Sequence, residues 1–110
     1  MELEVPVARG DQRAWDGVIT RFADAPTAWL PAEFDSVVAD FQAQVRRITV
    51  KAGDAGSESV LWVVAATRRN RAAIREASSI VAGTFPVDTR TALRALHQGR
   101  HPGGSSLILV

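Results

Sequence analysis

Two histidines four residues apart, His97 and His101 in "HQGRHP", have the spacing at which one helix face offers two imidazoles to a metal ion. Gly99 and Pro102 interrupt a helix there, and no nearby cysteine or carboxylate supplies a third ligand, so the pair reads as loop histidines and no metal site is assigned. The run "RRNRAAIR" sets Arg68, Arg69, Arg71 and Arg75 within two helical turns, with Arg68, Arg71 and Arg75 able to share a face and meet phosphates. It carries no interleaved aromatic and no nucleic-acid motif, so a solvated face pairing with acidic residues is preferred and anion or nucleic-acid binding is the alternative. Carboxylates Asp11, Asp16, Asp24, Glu33, Asp35 and Asp40 offer material for general acid–base work. On the expected elements they fall at a cap, on exposed faces and in loops, none buried beside another. "GSES" and "GGSS" are turn chemistry without a G-x-S-x-G context. No catalytic residue or cofactor is assigned, and a non-enzymatic role is favoured.

The remaining candidates are aromatic. Trp15, Trp29 and Trp62, with Ile19, Phe22 and Phe85, are expected either to pack a core, each tryptophan burying roughly 200 Å², or to line an apolar ligand cavity. Trp29 stands between Pro26 and Pro31 in "DAPTAWLPAEF", a constrained connection whose apolar side chains must pack beneath a neighbouring helix.

The chain that positions these residues has 110 amino acids and is 46% hydrophobic, enough for one domain spanning 1–110 with its own core. It contains no cysteine, which removes disulfides and thiolate chemistry and fits a reducing compartment. No apolar run approaches the roughly 20 residues of a membrane span, and the first residues lack a signal-peptide pattern, so a cytoplasmic protein without membrane contact is expected. Net charge is +1, but residues 1–45 hold eight acidic and three basic side chains and residues 46–110 hold four and ten. Halves of opposite sign attract each other or present a basic face to an anionic partner.

"ELEVPV" alternates like a strand, with Pro6 marking it as an edge strand. Asp11 then caps a helix over 12–24, in which Trp15, Val18, Ile19 and Phe22 form an apolar stripe. Residues 34–45 match helix and strand periods alike, while 46–52 and 58–67 flank a Gly, Asp and Ser turn and read as a β-hairpin. A helix follows over 71–82, capped by Asn70 and stopped at Gly83. Residues 87–98 read either as a helix capped by Asp88, with Leu93 and Leu96 inward, or as a strand. "GGSSLILV" is a terminal strand whose run of apolar residues expects cover on both faces, from a partner or from further chain.

The segments "RAWDGVITRF", "AWLP", "GTFP", "ALRAL" and "GGSSLILV" resemble proteins of the START-like superfamily, the SRPBCC or helix-grip proteins. The resemblance covers residues 3–34 and 84–110, and it tips 87–98 toward strand. It implies an α+β fold in which an antiparallel sheet wraps a long final helix around an apolar cavity. That helix is missing after Val110 and 71–82 would be an insertion, so a truncated chain or a homodimer must complete the wall. The function implied is a small binding module for a hydrophobic small molecule. The competing reading, from element order, is a ferredoxin-like β-α-β-β-α-β sandwich that dimerises or binds nucleic acid through the arginine cluster. Both are α+β with an antiparallel sheet packed against helices.

Overall fold

The computed structural model describes residues 1–4 and 15–110. Three strands come first, β1 (Glu2–Glu4), β2 (Gly17–Thr20) and β3 (Trp29–Asp35), followed by helix α1 (Phe41–Asp54) and strand β4 (Leu61–Val64). Three helices, α2 (Arg68–Glu76), α3 (Ser78–Thr84) and α4 (Thr89–His97), then lead to strand β5 (Ser106–Leu109). The strands form one sheet in chain order, antiparallel from β1 to β3 and parallel from β3 through β5. The α+β class read from the sequence is the class observed. The sheet is mixed rather than wholly antiparallel, and its element order is not the ferredoxin-like succession. Parallel neighbours need long crossovers, which α1 supplies between β3 and β4, and α2 to α4 supply between β4 and β5.

Because strand side chains alternate between faces, the crossover helices cover the sheet from both sides. On one face Val18, Trp62, Val64 and Leu107 meet Phe41, Val45, Ile48 and Ala52 of α1, with Ile74 and Val81 packed alongside. On the other, Ile19, Leu30, Ala32, Leu61 and Ile108 meet Ala92 of α4, with Leu93 and Leu96 beside it. The four inward residues of α1 recur every three or four positions, which selects helix for this segment and replaces the expected hairpin arm at 46–52. Val50, which strand alternation would have buried, is 55% exposed. Asp40 caps α1 by accepting from the Ala43 N–H at 3.1 Å, and the Gln44 side chain accepts in return from the Asp40 N–H at 3.2 Å.

Four further expectations are corrected. The stripe Trp15, Val18, Ile19 and Phe22 does not mark a helix: Gly17–Thr20 is β2, hydrogen-bonded on both sides, so its consecutive apolar residues are buried because both faces are covered. Residues 12–14, the Asp11 cap and the strand residues 5–7 lie outside the described residues. The segment "WLP" is the first half of β3 rather than a loop. Pro31 is tolerated there because β4 reaches only as far as Ala32, leaving no ladder on that side to interrupt. Residues 87–98 contain α4, capped by Asp88, which accepts from the Thr91 N–H at 2.7 Å, so the helical alternative is the one observed. The helix expected over 71–82 is two helices broken around Ala77 and Ser78, and its cap is Thr67 rather than Asn70. Among the described residues no helix is long and apolar enough to cross a membrane.

Candidate functional site

Strand β3 carries two carboxylates two residues apart, Glu33 and Asp35, on the face covered by α1. Helix α1 answers with two cations four residues apart, Arg47 and Lys51. The match is geometric, because two strand residues advance about 6.6 Å and four helical residues about 6 Å. Lys51 Nζ donates to Glu33 Oε1, and Arg47 lies 3.7 Å from Asp35 Oδ2. Asp35 Oδ2 also accepts from the Trp62 indole N–H at 2.8 Å. Trp15 closes the cluster from the side, its ring centroid 4.8 Å from Lys51 Nζ. Among the described residues the buried indole N–H of Trp15 has no acceptor.

Asp16, immediately before β2, completes the arrangement. Its Oδ2 accepts from the Phe34 N–H at 2.9 Å, which brings its carboxylate beside Glu33 on the neighbouring strand. Glu33 is 6% exposed. Burial holds its pKa above the usual 4.5, Asp16 raises it further by hydrogen bonding and charge, and Lys51 opposes both without cancelling them. Two carboxylates and an ammonium therefore converge where one carboxylate is reluctant to ionise. Such an arrangement attracts a cation or holds a proton, and both belong to catalytic chemistry.

The protein's contribution to any metal ion at this point is two carboxylates. Among the described residues no group of three or more His, Cys, Asp or Glu side chains is placed to hold one. Two carboxylates suffice for a Mg²⁺-type ion, which keeps waters and takes substrate phosphate oxygens for its other positions.

The aromatic residues singled out from the sequence are divided by the sheet. Trp15, Trp62 and Phe85 lie in the core under α1 with Trp29 at its margin, whereas Ile19 and Phe22 lie in the core under α4. Trp62 stacks at a tilt against Phe41 and Phe85, with centroids 5.5 and 5.9 Å apart. The six do not line one cavity. Phe85 borders a groove of about 390 Å³ between α2, α3 and β5, and Trp29 a separate one of about 200 Å³ beside Gly56 and His101.

Arg68, Arg69, Arg71 and Arg75 stand exposed on α2 and, among the described residues, none forms an ion pair. Among the described residues the expected pairing of this face with the acidic half is absent, and α1 meets that half through Arg47 and Lys51. Asn70, buried among these arginines, donates to the Ser36 and Ala65 carbonyls at 2.9 Å each and accepts from the Val38 N–H at 2.8 Å. The arginine-bearing turn is thereby fixed to the residues that follow Asp35. His97 ends α4, and His101 packs edge-on against Phe22 while its Nδ1 accepts from the Gly103 N–H at 2.9 Å.

From the sequence, neither Asp16 nor Glu33 is expected to be buried beside another carboxylate. The structure corrects this, since residues expected in a helix and a loop are adjacent strands. Two signals were present: a glutamate inside the apolar run "WLPAEF", and the chain's single lysine, Lys51. Compared with protein-family models, with curated proteins and with solved structures, the chain matches none.

Proposed function

We propose that this protein is a divalent-cation-dependent hydrolase of phosphodiester bonds in nucleic acid. The observation that carries the reading is the convergence of Asp16, buried Glu33 and Lys51 at the β2–β3 edge of α1. Asp16 and Glu33 are the oxygen ligands for the cation, which when bound supplies Lewis-acid polarisation of the phosphoryl group and of a water. Lys51 holds Glu33 Oε1 and offers positive charge to the oxyanion that develops at phosphorus. The water oxygen bonds to phosphorus, the ester P–O bond breaks, and one water proton ends on the departing alcohol oxygen, leaving a phosphomonoester. A buried carboxylate–ammonium pair adds little stability over well-packed apolar residues, which favours a chemical role for it. The exposed arginines at the start of α2, Arg68, Arg69 and Arg71, fit the polyanionic substrate.

Incubating the protein with fluorescently end-labelled single- and double-stranded DNA and RNA, with Mg²⁺, Mn²⁺ or a chelator, tests the reading. Cleavage is expected only with the metal, and Asp16→Asn, Glu33→Gln and Lys51→Met are each expected to reduce its rate about 100-fold or more. Absence of cleavage with either metal, or cleavage that survives all three substitutions, refutes it.

A further inference from the structure

The groove of about 390 Å³ between α2, α3 and β5 lies away from the carboxylate cluster, and its lining includes Ile74, Val81, Phe85, Leu107, Leu109 and Arg75. We infer that it binds an aliphatic monocarboxylate, with the chain laid over Phe85, Leu107 and Leu109 and the carboxylate held by Arg75. Its size falls within the range of small-molecule sites, and its lining is predominantly apolar with a few polar groups, as such sites require. Phe85 and Leu107 are members of the main core, so an apolar chain seated here extends that core rather than lying on a polar surface.

The charges select the occupant. Two charged residues border the groove, Arg75 and Asp88. The Asp88 carboxylate is engaged at the α4 N-terminus, where it accepts from the Thr91 N–H. Thr89, also in the lining, already donates its hydroxyl to the Leu107 carbonyl at 3.0 Å. Arg75 has no ion-pair partner among the described residues. One uncommitted cation thus stands over an apolar floor, which is complementary to a single anionic head on an aliphatic chain.

The wall opposite β5, helix α3, is loosely packed. Helix α3 has no buried residue and no side chain capping its N-terminus, and Ile80 and Ala82 are exposed while Val81 is half-buried toward the core. A bound chain gives Val81 and Ala82 a packing partner that β5 alone does not supply, so ligand binding is expected to order α3.

The test is a titration of the ¹⁵N-labelled full chain with decanoate below its micellar concentration, followed by amide chemical shifts. Saturable shifts confined to residues 74–89 and 107–109, with slowed amide exchange in α3, are expected. Decanol and decylammonium are expected to bind about tenfold or more weakly than decanoate, and Arg75→Glu, an exposed substitution that leaves the core intact, is expected to weaken decanoate by a similar factor. No saturable shifts, shifts centred elsewhere, equal binding of decanol, or unchanged binding by Arg75→Glu each overturn the inference. None of these outcomes bears on the carboxylate cluster, whose cleavage assay is separate.

Discussion

Replacing Asn70 with alanine is expected to destabilise the protein by about 3 kcal/mol, a figure that follows from three hydrogen bonds at a site closed to water. The side chain is 1% exposed. It uses both amide hydrogens and its carbonyl oxygen, serving the Ser36 and Ala65 carbonyls and the Val38 N–H. Truncation leaves the Val38 N–H and the Ser36 carbonyl without that partner, at about 1–3 kcal/mol each before relaxation, and removes one of the two bonds to the Ala65 carbonyl, which keeps the Thr67 N–H, at about 1 kcal/mol. The loop 36–38 can recover part of this by moving toward solvent, which sets the expectation near the lower end. At about 4 °C per kcal/mol for a domain of this size, the melting temperature falls by about 12 °C. Urea unfolding followed by tryptophan fluorescence measures the loss, with an unchanged m-value separating a stability effect from a change in the unfolded state. Asn70→Asp keeps the acceptor but turns an acceptor toward two carbonyls, so it is expected to be at least as damaging at neutral pH and milder in acid, where a protonated carboxyl regains one donor. A loss below about 1 kcal/mol for Asn70→Ala would refute the reasoning, since it would mean that these bonds do not anchor the loop.

Glu33 holds its proton to higher pH when folded than its ordinary value of 4.5, so the folded state binds more protons than the unfolded state across that window and stability falls as pH rises through it. Glu33→Gln is expected to flatten this part of the urea midpoint against pH, and an unaltered profile would contradict the burial argument. Arg68→Ala combined with Arg71→Ala is expected to lower the slope of log affinity for nucleic acid against log salt by about two while leaving cleavage chemistry intact; an unchanged slope would exclude these arginines from phosphate contact. Gly99, at φ +72° with open space around its Cα, is expected to cost about 1 kcal/mol as alanine, read by thermal unfolding, because only its left-handed backbone resists the substitution.

The α+β class, the last strand, the first-strand residues within Glu2–Glu4 and the approximate placement of helix around 68–84 are legible in the sequence. The failures share one cause. A strand covered on both faces loses its alternation, and Gly17–Thr20 has consecutive buried residues that mimic a helical stripe when read with Trp15 and Phe22. For α1 the error ran the other way: apolar residues at 48, 50 and 52 alternate like a strand, and only the tertiary position of Phe41, Val45, Ile48 and Ala52 settles the period. The candidate site was lost through these same errors. Asp16, Glu33 and Lys51 come together only when 17–20 and 29–35 are paired strands and 41–54 is the helix above them, a relation between segments that spacing within one segment does not encode. The choice between core and cavity for the aromatic residues is open for the complementary reason: sequence shows that they are apolar, and only the sheet shows that it separates Ile19 and Phe22 from Trp15 and Trp62.

The most direct test of the central claim is paramagnetic line broadening by Mn²⁺ on the ¹⁵N-labelled chain, since it locates a cation without requiring turnover. The account predicts that substoichiometric Mn²⁺ broadens amides around Asp16, Glu33, Phe34 and Lys51 first, that Mg²⁺ reverses the effect, and that Glu33→Gln abolishes it. Broadening spread over surface carboxylates such as Asp54 and Glu76, or broadening that persists in Glu33→Gln, would contradict a cation site built from Asp16 and Glu33.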